Sequence, residues 1–310
     1  MLLLKEDLEN RPLYNLYLNL LGDTPKFIKK YLTVPSMERL KTISYFCGMD
    51  YASKDIYNFK EPISRYDHSL TTALIVWNIT HDKKATLAAL FHDVSTPCFS
   101  HAIDYMYGDS EKQETTEKYT MKIIRNDKKL LELLKEDKIN LEDLDFKKYS
   151  IVDSPRPSLC ADRFDGLILT GISWTKSVKE NDIYLLTSNL TVAKNKKGLL
   201  ELCFKSEAAA RKAIELNNEI AKYCHSKEDK YMMELLGIIA KEAIESGVIT
   251  EMDLYTENED IIYARLKNSI YTSLKMEKFM NIKKEEIKEI DIPVKKRTLT
   301  PLLTNGNRIK

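Results

Sequence analysis

Two stretches decide how this chain reads: RYDHSLTTALIV at residues 65–76 and AALFHDVSTPCFSH at residues 88–101. The first puts Arg65 three residues ahead of His68. The second sets an adjacent His92-Asp93 pair directly behind an apolar helical run of Leu87, Ala88, Leu90 and Phe91. Working outward, HSLTTALIVWNIT places Leu70, Leu74, Ile75 and Trp77 on overlapping helical faces. DKKATLAALF opens with an N-cap at Asp82 and repeats the pattern. The spacing predicts two antiparallel helices joined by a tight turn at Thr80 to Lys83. Pro97 is expected to stop the second helix and Ser100 to cap the next, HAIDYMYG, which ends at Gly108.

Upstream, PLYNLYLNLLGDTPKFIKKY (12–31) mixes aromatics with leucine and breaks at Gly22 and Pro25, and SMERLKTISYF (36–46) predicts a short helix with Ser36 as N-cap. Downstream, residues 113–148 alternate charge and leucine at helical spacing. IVDSPRPSLCADRFDGLILTGISW (151–174) then carries two prolines and an apolar helix with Leu159, Phe164, Leu167 and Ile168 inward. Asp162 and Asp165 stand one turn apart on it, and a carboxylate beside that much apolar surface needs a partner. LTVAKNKKGLLELCF (190–204) changes period to two apolar runs around Asn195 to Gly198, which predicts a small β-hairpin. Two long amphipathic helices follow, with candidate caps at Ser206 and Asp229. The tail from Lys283 is charge-dense and reads as partly extended.

The chain has 310 residues, of which 43% are hydrophobic, enough for a sizeable core. Its 48 basic and 47 acidic residues leave a net charge of +1, so no global field points to a nucleic-acid partner. The short basic clusters NKK (195–197) and VKKR (294–297) are the basis of a weaker nucleic-acid-binding reading, but such clusters are usually solvated faces. Five cysteines, odd in number and without C-x-x-C spacing, follow no secretory signal and read as reduced thiols of a cytoplasmic protein. MLLLKEDLEN falls far short of the ~20 apolar residues that a membrane span needs. The expectation is an all-α fold in a single domain over 1–310. Its core would lie at about 40–175, with an accessory hairpin and helices at about 176–310.

His68, His92, Asp93 and Asp162 form a set of imidazoles and carboxylates without thiolates, which suits a borderline divalent metal such as manganese, iron, nickel or zinc. Spacing alone leaves other readings open. His68 could cap its helix, His92 and Asp93 could be a structural ion pair, and Asp162 could pair with Arg163 or Arg156.

The ordered motifs RYDH, FHDVSTPCFSH and ADRFDG resemble those of the HD-domain metal-dependent phosphohydrolases over residues 40–175. The phrase H-D-x-x-x-x-x-F-S-H is similar to that of the deoxynucleoside triphosphate triphosphohydrolase branch. The resemblance implies a helical HD core holding one or two divalent ions (Mn, Fe, Ni, Zn or Mg) through His68, His92, Asp93 and Asp162, with Asp93 bridging a second ion. Such a site activates water for attack on phosphorus. Arg65 would clamp a substrate phosphate with two parallel donors. By resemblance, His101 contacts phosphate or gives a proton to the leaving oxygen, and Glu114 assists proton transfer.

The chain also departs from that branch. Thr96 and Gln113 stand where pocket histidines are usual, and neither shuttles a proton near pH 7. Gly166 replaces a frequent tyrosine. The expected function is hydrolysis of a phosphoester or phosphoanhydride, with a nucleotide or another small phosphorylated molecule as substrate. The alternative is a catalytically weak HD protein that binds a nucleotide as a regulatory or oligomerisation module. No membrane partner is expected, and a homo-oligomer is compatible with the helices.

Overall fold

The computed structural model describes residues 10–113 and 115–309. Helices dominate. α1 (Pro12–Leu20), α2 (Lys26–Tyr31) and α3 (Pro35–Leu40) lead into the central pair, α4 (Arg65–Thr80) and α5 (Lys83–Phe91). Ser64 caps α4 by accepting from the Asp67 backbone N–H, while the Asp67 carboxylate accepts from the Ser64 N–H at 2.9 Å. Arg11 holds the same carboxylate at 2.9 Å, so the start of α4 is fixed from outside the helix as well. His81 takes a left-handed conformation and Asp82 caps α5 through the Lys84 and Ala85 N–H groups, which makes the expected tight turn. Ala73, Ala85, Ala88 and Ala89 are buried along the pair, and their small side chains let the two helices pack closely.

After α5 the chain leaves the helical path at His92, earlier than Pro97 predicts, and turns through residues 92–101 into α6 (Ala102–Met106). Phe99 and Ser100 carry φ of 64° and 43°, a region that non-glycine residues seldom occupy. Glu259 holds the loop by accepting from the Phe99 N–H at 2.8 Å, and Arg39 does so by donating to the Thr96 carbonyl at 2.9 Å. Ser100 does not cap α6: its hydroxyl meets the Arg65 Nε at 3.3 Å and the Ser44 carbonyl at 3.4 Å. Ser36 is not a cap either. It lies inside α3, and both its N–H and its hydroxyl donate to Asp127.

α7 (Thr120–Asn126) and α8 (Lys128–Glu136) give the predicted solvated helices, and α9 (Ala161–Ser173) packs on α4 through an apolar face that includes Phe164 and Ile168. α10 (Glu180–Asn189) precedes the hairpin β1 (Leu190–Lys194) and β2 (Leu200–Phe204), which pair antiparallel with Leu190 opposite Phe204. Then come α11 (Glu207–Cys224), α12 (Lys227–Glu245), α13 (Asp253–Thr256), α14 (Glu259–Asn268) and α15 (Ser273–Asn281). Ser206 caps α11 as expected, but Ser226, not Asp229, caps α12. A Cβ at Gly237 would sit 2.8 Å from the Met106 backbone nitrogen, so glycine is what lets α12 press on α6. The tail returns to the hairpin as β3 (Leu302–Leu303), parallel to β2, an addition that the pattern of apolar runs does not announce. No helix among the described residues is long and apolar enough to cross a membrane.

Candidate metal centre

His68 comes from the first turn of α4, His92 and Asp93 from the end of α5, and Asp162 from the first turn of α9. Packing of α9 on α4 closes the 94-residue gap between His68 and Asp162, whose Nε2 and Oδ1 lie 3.0 Å apart. His92 Nε2 stands 3.7 Å from an oxygen of Asp93 and 3.7 Å from Asp162 Oδ1, and His68 Nε2 stands 3.8 Å from Asp93 Oδ2. One ligand atom each from His68, His92 and Asp162 falls within 4.8 Å of the others.

Hydrogen bonds on the far side of each ring orient it. His92 Nδ1 donates to the Ala89 carbonyl at 2.7 Å, which leaves its Nε2 lone pair facing the two carboxylates. That Nε2 is buried and has no hydrogen-bond partner among the described residues. A buried acceptor aimed at two carboxylates fits a cation between them, and the donor set suits a divalent metal. His68 Nδ1 bonds to Asp165 at 2.7 Å, and Asp165 in turn accepts from the Tyr17 hydroxyl at 2.7 Å. Asp165 is fully buried. It is the partnered aspartate that the apolar face of α9 demanded, although its task of orienting a histidine was not read from the sequence.

The cluster's electrostatics show the same need for positive charge. Burial works against charging His68, but the hydrogen bonds its ring nitrogens make to the Asp162 and Asp165 carboxylates outweigh it and push its pKa up to about 10. Burial would raise the Asp93 carboxyl, yet the charges of His92, Arg65 and His68 hold it down at about 2. Asp162 is likewise held well below the carboxylate range, against burial, by its hydrogen bond to His68 and the nearby His92 ring, 3.7 Å away. It pairs with neither Arg163 nor Arg156. Arg163 donates to the backbone carbonyls of Ser158 and Ser154.

The centre opens into a cavity of about 570 Å³ lined by Arg65, His101 and Gln113, among others. Arg65 Nη1 pairs with Asp93 Oδ2 at 2.8 Å, and its guanidinium lies over the Tyr45 ring at 4.9 Å. It forms no salt bridge with Asp67 or Glu61: Asp67 is taken by Arg11 and the cap, and Glu61 by the Leu13 and Tyr14 N–H groups. His101 is fixed through Nδ1 to the buried Asp104 at 2.8 Å. Burial lowers its pKa, although Asp104 works against that shift. Thr96 is buried outside the cavity lining. A Cβ at Gly166 would meet the Tyr45 hydroxyl at 3.2 Å, so Tyr45 supplies the aromatic side chain beside that position. Glu114 lies outside the described residues.

Other cavity residues were not singled out from sequence. Lys295 and Arg297 of VKKR are not solvated faces: they line the cavity together with Arg156. The signal available in the sequence was the alternation of the tail, since an extended segment sends residues 295 and 297 to one side and 296 to the other. Phe46, Phe59 and Trp174 supply an aromatic wall.

A histidine at the start of one helix, a His-Asp pair ending the next and an aspartate from a third define an HD domain, and residues 65–167 match the HD domain family. The match covers about a third of the chain and supports an HD domain over that span. It is 28% identical over 131 residues to the uncharacterized protein YdhJ of Bacillus subtilis, covering 42% of this chain and 38% of that protein. It is 22% identical over 220 residues to the metal-dependent phosphohydrolase cns2 of Cordyceps militaris, covering 67% of this chain and 60% of that protein. The chain thus spans 38% and 60% of the lengths of these two relatives, less than two thirds of each.

Proposed function

We propose that this chain is a metal-dependent phosphohydrolase that cleaves a phosphoester or phosphoanhydride of a small phosphorylated molecule, with a nucleotide as the favoured class. The observation that carries the reading is the buried, unpartnered Nε2 of His92, held by the Ala89 carbonyl and aimed at Asp93 and Asp162 at the base of an open cavity. His68, His92, Asp93 and Asp162 would hold the ion, whose chemistry is to lower the pKa of a water and to polarise a phosphoryl oxygen. Arg65 fixes Asp93 and offers its remaining guanidinium donors to phosphate. His101, positioned by Asp104, serves as phosphate contact or proton donor to the leaving oxygen. The aromatic side chains of Phe46, Phe59 and Trp174 favour a substrate with a flat ring. One cavity lined both by the HD core and by the tail supports a single domain, and buried cysteines such as Cys160, whose thiol burial pushes up to about 12, suit a reducing cytoplasm.

The test is a panel of nucleotides and generic phosphoesters with manganese, iron, nickel, zinc or magnesium, read as phosphate release. Turnover of at least one organic phosphate that depends on added metal is expected. A filled metal site with no turnover anywhere would overturn the reading. Tight nucleotide binding in that same protein would favour the regulatory alternative, which Gln113 in place of a cavity histidine supports.

A further inference from the structure

The cavity has a second charged surface that the metal chemistry does not use. Arg156 comes from the turn before α9, and Lys295 and Arg297 come from the tail, far outside the HD domain match. Among the described residues, none of the three forms a salt bridge with a carboxylate, and Arg297 Nε is buried without a hydrogen-bond partner. The tail is clamped by its carbonyls. Ser110 donates to the Pro293 carbonyl at 2.7 Å, Asn217 to that of Arg297 at 2.8 Å and Arg156 to that of Thr298 at 3.1 Å. These anchors fix the backbone and leave the side chains of Lys295 and Arg297 to the cavity.

Cations gathered without a carboxylate in salt-bridge range repel one another, and the cost is visible on two of the three; the pKa of Arg297 is instead raised, by the Cys224 thiol and Asp229. Burial, with the neighbouring Arg163 and Arg297, lowers the Arg156 pKa to about 10. Burial, with Arg297 and Arg156, lowers that of Lys295, against the pull of Asp162 and Asp153. An arrangement of this kind is relieved by an anion, and a guanidinium pair with an ammonium matches phosphoryl oxygens.

Resting on the phosphohydrolase reading above, we infer that the substrate carries a second anionic phosphoryl group beside the one that meets the metal. Arg156, Lys295 and Arg297 bind this distal group. The tail is therefore part of the substrate site, and a monophosphate with an uncharged body is a poorer ligand than a bisphosphate or diphosphate of the same body.

Binding, not turnover, tests this. The full chain with its metal is titrated calorimetrically with methylphosphonate and with α,ω-alkanebisphosphonates of one to four carbons, none of which is hydrolysed. At least one bisphosphonate should bind about tenfold or more tightly than methylphosphonate. Lys295→Gln, alone and with Arg297→Gln, should erase that advantage while leaving methylphosphonate binding unchanged. Lys296→Gln, the same charge change on an exposed neighbour, should leave both unchanged. If the double variant does not fold, the single Lys295→Gln variant decides. No advantage for any bisphosphonate, or an equal loss with Lys296→Gln, overturns the inference. Because no catalysis is read, an absence of turnover in the substrate panel would count against the enzymatic reading and not against this one.

Discussion

The floor and the wall of the cavity are charged in opposite ways and satisfied to different degrees. On the floor, each carboxylate is answered: Asp162 and Asp165 flank His68, and Arg65 neutralises Asp93. What remains open there is an acceptor, His92 Nε2, so the floor asks for a cation. On the wall, Arg156, Lys295 and Arg297 have no carboxylate in salt-bridge contact among the described residues, so the wall asks for an anion. A divalent ion carrying a phosphorylated ligand answers both at once. The two surfaces also differ in origin. The floor is built from three helices within residues 65–167, whereas the wall depends on a tail that crosses back over the chain from residues 294–297.

The largest effects are expected on the floor. His92→Ala or Asp93→Ala removes a proposed metal donor and should abolish both bound metal, measured by elemental analysis, and phosphate release, with activity falling to background. Retained metal and activity in either variant would mean that the floor is an ordinary ion-pair network. Asp165→Asn asks a finer question. The asparagine keeps size and can still accept from Tyr17, but its amide can donate to His68 Nδ1 and favour the tautomer that turns a proton toward the site. Metal affinity or kcat should drop by roughly 10–100-fold, the usual effect of losing such an orienting partner. Unchanged metal affinity would show that packing alone orients His68.

The floor was legible in the sequence and the wall was not, for a physical reason. Imidazole and carboxylate in the order His68, His92-Asp93, Asp162 have few chemistries in common, so residue type and order carry information. Lys295 and Arg297 look like any charged tail until Asn217, 80 residues earlier, ties the chain across the cavity. The same limit applies to caps. Ser64, Asp82 and Ser206 cap the helices that follow them, because a cap is local chemistry. Ser36 and Ser100 have the same chemistry but are claimed by distant partners, Asp127 and Arg65. Asp229 was placed at a helix start correctly, yet its side chain faces the cavity and Ser226 takes the capping role.

Asp229 gives the smallest and most discriminating test, since it is the carboxyl that faces the wall without neutralising it. Tyr57 donates to it at 2.7 Å and Arg297 favours its ionisation, but burial dominates and pushes its pKa up to about 7. In the unfolded chain the carboxyl would titrate near its ordinary value of about 3.9. Between about pH 4 and pH 7 the unfolded state therefore loses a proton that the folded state keeps, so ionisation of Asp229 lowers stability as pH rises through that window. Asp229→Asn keeps an acceptor for Tyr57 and removes the titration. The variant should melt a few degrees higher than the parent above pH 7 and match it near pH 4, as followed by thermal unfolding across that range. Some slope will persist from Glu259, whose carboxyl burial raises to about 8. A parent and variant with parallel curves would mean that Asp229 is already ionised by Arg297, and the wall would then have a counterion of its own.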